Sequence, residues 1–160
     1  MKKLLLAGIT LVACSHSAQA QEKPCIAVQS FTTGPHASWP YDVQQMATQT
    51  AAELQSKLGT AFVVGTQAPA ACQGIYSLGG EIIEWHPGNR AKRVLVGMGS
   101  GRETAKIHFW LDGPSGKRLF DHTDTIRAEF WGNAYAGSVG ELVHPLASKV
   151  ADRLNHVKLN

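Results

Sequence analysis

Several things are scarce in this 160-residue chain, and each scarcity removes a class of function. No apolar run is long enough to cross a bilayer; Leu4 to Ala13 is the best and is too short. Net charge is small, with 15 Lys and Arg against 12 Asp and Glu. Lys2 and Lys3 would leave with a leader, so the remainder is nearly neutral. Such a domain is a poor general binder of nucleic acid, and any basic function must be local. Catalytic signatures are missing as well. There is no GKS/T phosphate loop, no H-E-x-x-H zinc helix and no G-x-S-x-G elbow. Ser100 lies between glycines, but no strand runs into a helix after it. No internal repeat or low-complexity run occurs. No catalytic residue, metal site or cofactor is therefore assigned.

What is present begins with a targeting segment. Lys2-Lys3 is a positive start, Leu4 to Ala13 an apolar core, and Ala18-Gln19-Ala20 a small-x-small cleavage site. This predicts a signal peptide over 1–20 and a single domain over 21–160, soluble in the periplasm. A second reading competes. Leu11-Val12-Ala13-Cys14 resembles a lipobox, so that 1–13 would be a lipoprotein signal and Cys14 would be acylated. The product would then be an outer-membrane lipoprotein facing the periplasm. Only three cysteines exist. Either processing route leaves Cys25 and Cys72 as a pair, which in an oxidising compartment predicts a disulfide.

The order of elements predicts an α+β fold. Cys25 to Phe31 reads as a strand. A helix follows, with Pro40 in its first turn, Asp42 early and Gly59 as the stop; Val43, Met46, Ala47, Thr50, Ala51, Leu54 and Leu58 form its apolar stripe. Ala61 to Thr66 and Ile75 to Trp85 read as strands, the latter interrupted at Gly79-Gly80 by a bulge or a close backbone approach. Thr104 to Asp112 alternates strictly, turns at Gly113-Pro-Ser-Gly116, and returns as Leu119 to Phe130. A turn centred on Pro114-Ser115 would set Phe109 against Phe120, Ile107 against His122, His108 against Asp121 and Trp110 against Leu119. Ser138-Val-Gly-Glu141 has the form of a capping box. The helix after it must be kinked by Pro145 or start just before it. The expected fold is a mixed, mostly antiparallel sheet in the order β-α-β-β-β-β-α, with two amphipathic helices on one face.

One stretch departs from this scaffold. Glu84 to Glu103 carries a basic cluster (Arg90, Lys92, Arg93, Arg102), an apolar run (Val94, Leu95, Val96, Met98) and alternating glycines (Gly97, Gly99, Gly101). Glycines beside arginines suit an anion, although a phosphate-binding fingerprint would need a helix after them, and a strand follows here. The apolar residues fit either the end of the core or a partner surface rimmed by arginine. A second constellation, His108, Asp121 and His122, with Asp124 and His86, has the atom types for acid–base or metal work but no zinc spacing. A surface His–Asp pair is the plainer account. Trp85, Trp110, Trp131 and Tyr135 read first as packing residues, with a glycan surface as the other reading.

The run Pro87-Gly88, Arg93, Val96-Gly97-x-Gly99-Ser100-Gly101, then the alternating strand and Asp112-Gly-Pro-Ser-Gly116, resembles a bacterial envelope family, the domain-of-unknown-function family numbered four-four-one-zero. The resemblance implies secreted proteins or lipoproteins of Gram-negative bacteria. It implies no reaction and transfers no catalytic residue. The expectation is a non-enzymatic cell-envelope protein that binds a protein partner, as an assembly or accessory factor, through the loop over 88–102. An anionic glycan or lipid headgroup at the same loop is the alternative. A hydrolase or metalloenzyme using His108, Asp121 or His122 is a third. Homo-oligomers are compatible with all three.

Overall fold

The computed structural model describes residues 23–69, 72, 74–89, 101–129 and 138–157. The leader with Cys14 lies outside them. Eight elements follow in order: β1 (Cys25–Val28), β2 (Thr32–Thr33), α1 (Val43–Leu58), β3 (Val63–Gly65), β4 (Ile75–His86), β5 (Thr104–Asp112), β6 (Arg118–Arg127) and α2 (Gly140–His156). The strands make one six-stranded sheet in the order β3-β1-β4-β5-β6, with β2 beside β4. The short β1–β3, β1–β4 and β2–β4 pairs are parallel, and the long β4–β5 and β5–β6 ladders are antiparallel. The fold is thus the expected α+β arrangement, with the first strand broken after Val28 and resumed as β2.

Alternation decides which face is covered. Ala105, Ile107, Phe109 and Leu111 of β5 are buried beneath both helices, together with Ile26, Val28, Leu78 and Ile82. Among the described residues, no helix lies on the other face, with Lys106, His108 and Trp110. Met46, Ala47, Leu54 and Leu58 of α1, and Leu142, Leu146, Val150 and Leu154 of α2, close the core.

Helix starts differ from the sequence reading in instructive ways. Pro40 stays outside α1. Asp42 is the cap, its Oδ1 accepting from the backbone N–H of Gln44 at 2.7 Å and of Gln45 at 3.3 Å. The Ser138–Glu141 capping box does not form. Val139 occupies the cap position with no side-chain bond, and Glu141 N–H goes to the Ser138 carbonyl instead. Pro145 lies inside α2, which starts five residues before it. Having no N–H, Pro145 leaves the Glu141 carbonyl open, and the Glu129 N–H takes it at 3.0 Å. A connection after β6 fills the gap that the proline makes.

The hairpin register also differs. Phe109 pairs with His122, Ile107 with Asp124, His108 with Thr123 and Trp110 with Asp121. The slip is two residues, so every side chain keeps its predicted face while each partner changes. Its cause is a wider turn. Gly113 N–H bonds to Lys117 O, Gly116 adopts a left-handed φ of 76°, and the register shifts between Leu111 and Asp112.

Gly79-Gly80 proves to be a close approach rather than a bulge. A side chain on Gly79 would strike the Trp110 indole on the open face, and one on Gly80 would overlap Phe31 in the core. The irregularity in β4 falls later, between Ile82 and Glu84.

Candidate functional site

Cys25 and Cys72 form the predicted disulfide, with Cα atoms 5.7 Å apart. Among the described residues no helix is long and apolar enough to cross a membrane.

Of the loop residues singled out from the sequence, Arg90, Lys92, Arg93, Leu95, Gly97, Met98 and Gly99 lie outside the described residues. The structure does define the stem that bears them. The β4–β5 ladder ends at His86 and Thr104. Beyond it, Asn89 N–H donates to Gly101 O at 2.8 Å, so the segment between leaves from a closed base. Gly101 has φ 74°, a conformation that disfavours other residues, and Arg102 is exposed.

The next residue was not foreseen. Glu103 is 4% exposed, yet it carries a carboxylate. Trp85 Nε1–H donates to its Oε1 at 2.6 Å and the Tyr41 hydroxyl to its Oε2 at 3.0 Å. Tyr41 stands edge-on to both Trp39 (5.1 Å) and Trp85 (6.5 Å). Burial pushes the Tyr41 phenol above its ordinary 10.0, and the hydrogen bond to Glu103, then the charges of Glu103 and Glu141, push the same way. This clasp ties the foot of the loop to the start of α1. The signal was available: Glu103 shares the phase of Ala105, Ile107 and Phe109, the core row. Tyr41→Phe should lower stability by about 1.5–3 kcal/mol, because it removes a hydrogen bond to a charged, buried acceptor. Urea unfolding measures this, and an unchanged midpoint would show the clasp to be idle.

His108, Asp121 and His122 do not assemble into one site. His108 Nε2–H donates to Asp121 Oδ1 at 2.7 Å on the open face. Arg118 joins from its other side, bonded to Asp121 at 2.5 Å and to Asp112 at 2.6 Å, with its guanidinium 5.0 Å from the Trp110 ring centre. His122 points to the helix face, where Arg153 donates to its Nε2 at 2.6 Å, and Lys149 bonds Asp124 at 2.7 Å beside it. Among the described residues no cluster of three His, Cys, Asp or Glu side chains could hold a metal ion. Asp121 is held below its usual carboxyl range by the His108 hydrogen bond first and by Arg118 second. Its contribution to stability is therefore present at neutral pH and fades as pH falls through its lowered folded-state value. A carboxyl-detected NMR titration should place Asp121 below 3.8, and His108→Asn should bring it back towards that value. No upward movement in the variant would refute the assignment.

A two-layer α+β scaffold, with the β4–β5 connection closed at its base by the Asn89–Gly101 bond and the Glu103 clasp, is the class of protein that these features define. The sequence matches the family described as Domain of unknown function (DUF4410) over residues 19–125, and the chain belongs to that family. No curated protein matches the sequence. In fold the chain is similar to PelC from Paraburkholderia phytofirmans, whose structure is described as a dodecamer: 18% identity, TM-score 0.52, covering 80% of this chain and 86% of that one. It is also similar to the hypothetical protein CT253 from Chlamydia trachomatis, at 10% identity, TM-score 0.50, covering 82% and 95% respectively. A further uncharacterized protein is 15% identical with a TM-score of 0.50, over 84% of this chain and 90% of its own.

Proposed function

We propose that this is an exported, non-enzymatic cell-envelope protein that binds a protein partner, as an assembly or accessory factor, through the loop over 88–102. The observation that supports this reading best is the construction of the stem. The Asn89–Gly101 bond and the Tyr41–Glu103–Trp85 clasp fix the two ends of a segment whose composition is basic, apolar and glycine-rich. A fixed base under an exposed-type sequence is how binding loops are carried on rigid scaffolds. The disulfide supports an oxidising compartment, the periplasm. A homo-oligomer is compatible with this reading, since PelC, similar in fold, is described as a dodecamer.

The test is crosslinking of a tagged copy in living cells, followed by identification of what is captured from the envelope. A reproducible partner that disappears in the Leu95→Asp/Met98→Asp double variant, with unchanged unfolding, is the expected result. Capture that is identical in the variant sinks the proposal. Binding lost instead on Arg93→Glu and on added salt would favour an anionic glycan or headgroup at the same loop.

A further inference from the structure

The sheet has two edges, and the fold treats them differently. At one end β3 is only three residues long. Its Val63 N–H turns inward to Pro24 O, and its outward Val64 N–H is taken by Gln55 Oε1 of α1 at 2.6 Å. That edge is blunted. At the other end β6 runs for ten residues and pairs with β5 alone. Among the described residues no backbone hydrogen bond other than those of the β5 ladder reaches residues 120–126. In an antiparallel ladder every second residue of such a stretch aims its N–H and C=O away from the strand already paired. No proline or glycine interrupts β6, and Asp121, Thr123, Thr125 and Arg127 are exposed. An edge of this kind is a template for another strand.

The side chains on the edge specify which strand. The register shift between Leu111 and Asp112 leaves Leu119 without a ladder partner, so the regular part of β6 starts at Phe120, and Thr123 lies near its middle. A two-fold axis through Thr123, normal to the sheet, would set β6 against β6 of a second copy, antiparallel and with like faces together. Thr123 then meets its own equivalent, Asp121 meets Thr125, His122 meets Asp124 and Phe120 meets Ile126. No like charges are opposed. On the helix face Arg153 already donates to His122 at 2.6 Å, so it would stand beside the second copy's Asp124. Moving the axis by one residue spoils the match. An axis at His122 sets Phe120 against the Asp124 carboxylate, and an axis at Asp124 sets that carboxylate against itself.

We propose that β6 pairs with β6 of a second copy of this chain, about a two-fold axis at Thr123, to make one sheet across a dimer. A strand from another protein would have to supply the same residues in reverse order, which β6 supplies by itself. The dimer does not rest on the loop reading. The axis reverses strand direction, so the two β4–β5 connections would leave from opposite ends of the shared sheet.

The experiment is sedimentation and thiol crosslinking of the purified chain. The unsubstituted chain should sediment as a concentration-dependent dimer. Thr123→Lys sets two ammonium groups face to face. It should leave a monomer with unchanged circular dichroism, whose thermal transition no longer depends on concentration. Thr123→Glu should do the same, and an equimolar mixture of the two variants should dimerise again. Thr123→Cys should become a covalent dimer on mild oxidation, since directly opposed residues have Cα atoms about 4.5–5.5 Å apart, within disulfide reach. Thr125→Cys would lie about 14 Å from its equivalent in this register and should give several-fold less. A chain that stays monomeric at every soluble concentration overturns the proposal. So does an oligomer unmoved by Thr123→Lys, or a crosslink as strong at Thr125→Cys as at Thr123→Cys. Amides of β6 that become protected only when another envelope protein is added would assign the edge to a different strand and overturn it equally. Leu95→Asp/Met98→Asp should leave the dimer intact, so failure of the loop reading is read separately.

Discussion

Reducing the Cys25–Cys72 bond is expected to lower the free energy of unfolding by about 4 kcal/mol, on chain-entropy grounds, because the cysteines are 47 residues apart. The bridge closes a loop that contains α1 and β3, and it lands on the central parallel strand. Cys25 is 1% exposed between β3 and β4, so a free thiol there remains packed and the loss falls chiefly on the unfolded chain. Urea unfolding of the oxidised protein, the reduced protein and the Cys25→Ala/Cys72→Ala variant measures it. The last two should agree closely. A loss below about 1 kcal/mol in both would show that the unfolded chain is already compact without the bridge.

Gly80→Ala is the second large effect, about 2–3 kcal/mol, from overpacking in a full core. The added methyl would overlap Cε1 and Cδ1 of Phe31, which is 2% exposed and sits where the first strand breaks between β1 and β2. Its ring is enclosed, so relief requires movement of the strand itself. Gly79→Ala makes a contrasting control. There the methyl would lie 2.5 Å from Trp110 Cε2, but Trp110 is on the open face and can swing aside, giving up its contact with Arg118. Gly79→Ala should cost clearly less. The decisive measurement is a double-mutant cycle with Phe31→Leu. Shortening Phe31 should recover much of the Gly80→Ala loss and none of the Gly79→Ala loss. Strict additivity at Gly80 would mean that backbone freedom, and not the ring, makes glycine necessary.

Much of this fold was legible because its periodicities are strong. The stripe from Met46 to Leu58 and the alternation from Ala105 to Leu111 each fix an element and its buried face. Even a wrong turn left the faces right, since a two-residue slip preserves the strand's parity. Boundaries and partners were less legible. Nothing local distinguishes Asp42 from Pro40 as the start of α1 until the side chain is seen to accept two backbone N–H groups. Ser138 and Glu141 have the capping-box spacing, but the backbone there turns one residue later than the box requires. The candidate site divides in the same way. Its loop is conspicuous in composition, whereas the clasp beneath it joins Tyr41, Trp85 and Glu103 from three distant segments, and sequence spacing carries no record of such a meeting. His108 and Asp121 were rightly placed on one face and His122 on the other, although through the wrong cross-strand pairs.

The missing N–H of Pro145 has a consequence for how this chain can diversify. The hydrogen bond that it releases to Glu129 pins the two ends of the connection before α2, as the Asn89–Gly101 bond pins the connection before β5. Both connections leave from the same end of the sheet. Once its ends are pinned, a connection can lengthen cheaply: each doubling costs only about 0.6 kcal/mol of closure entropy. Insertions and deletions in either one would leave the helices and ladders in place. A lineage could therefore rewrite this rim freely while inheriting the scaffold unchanged.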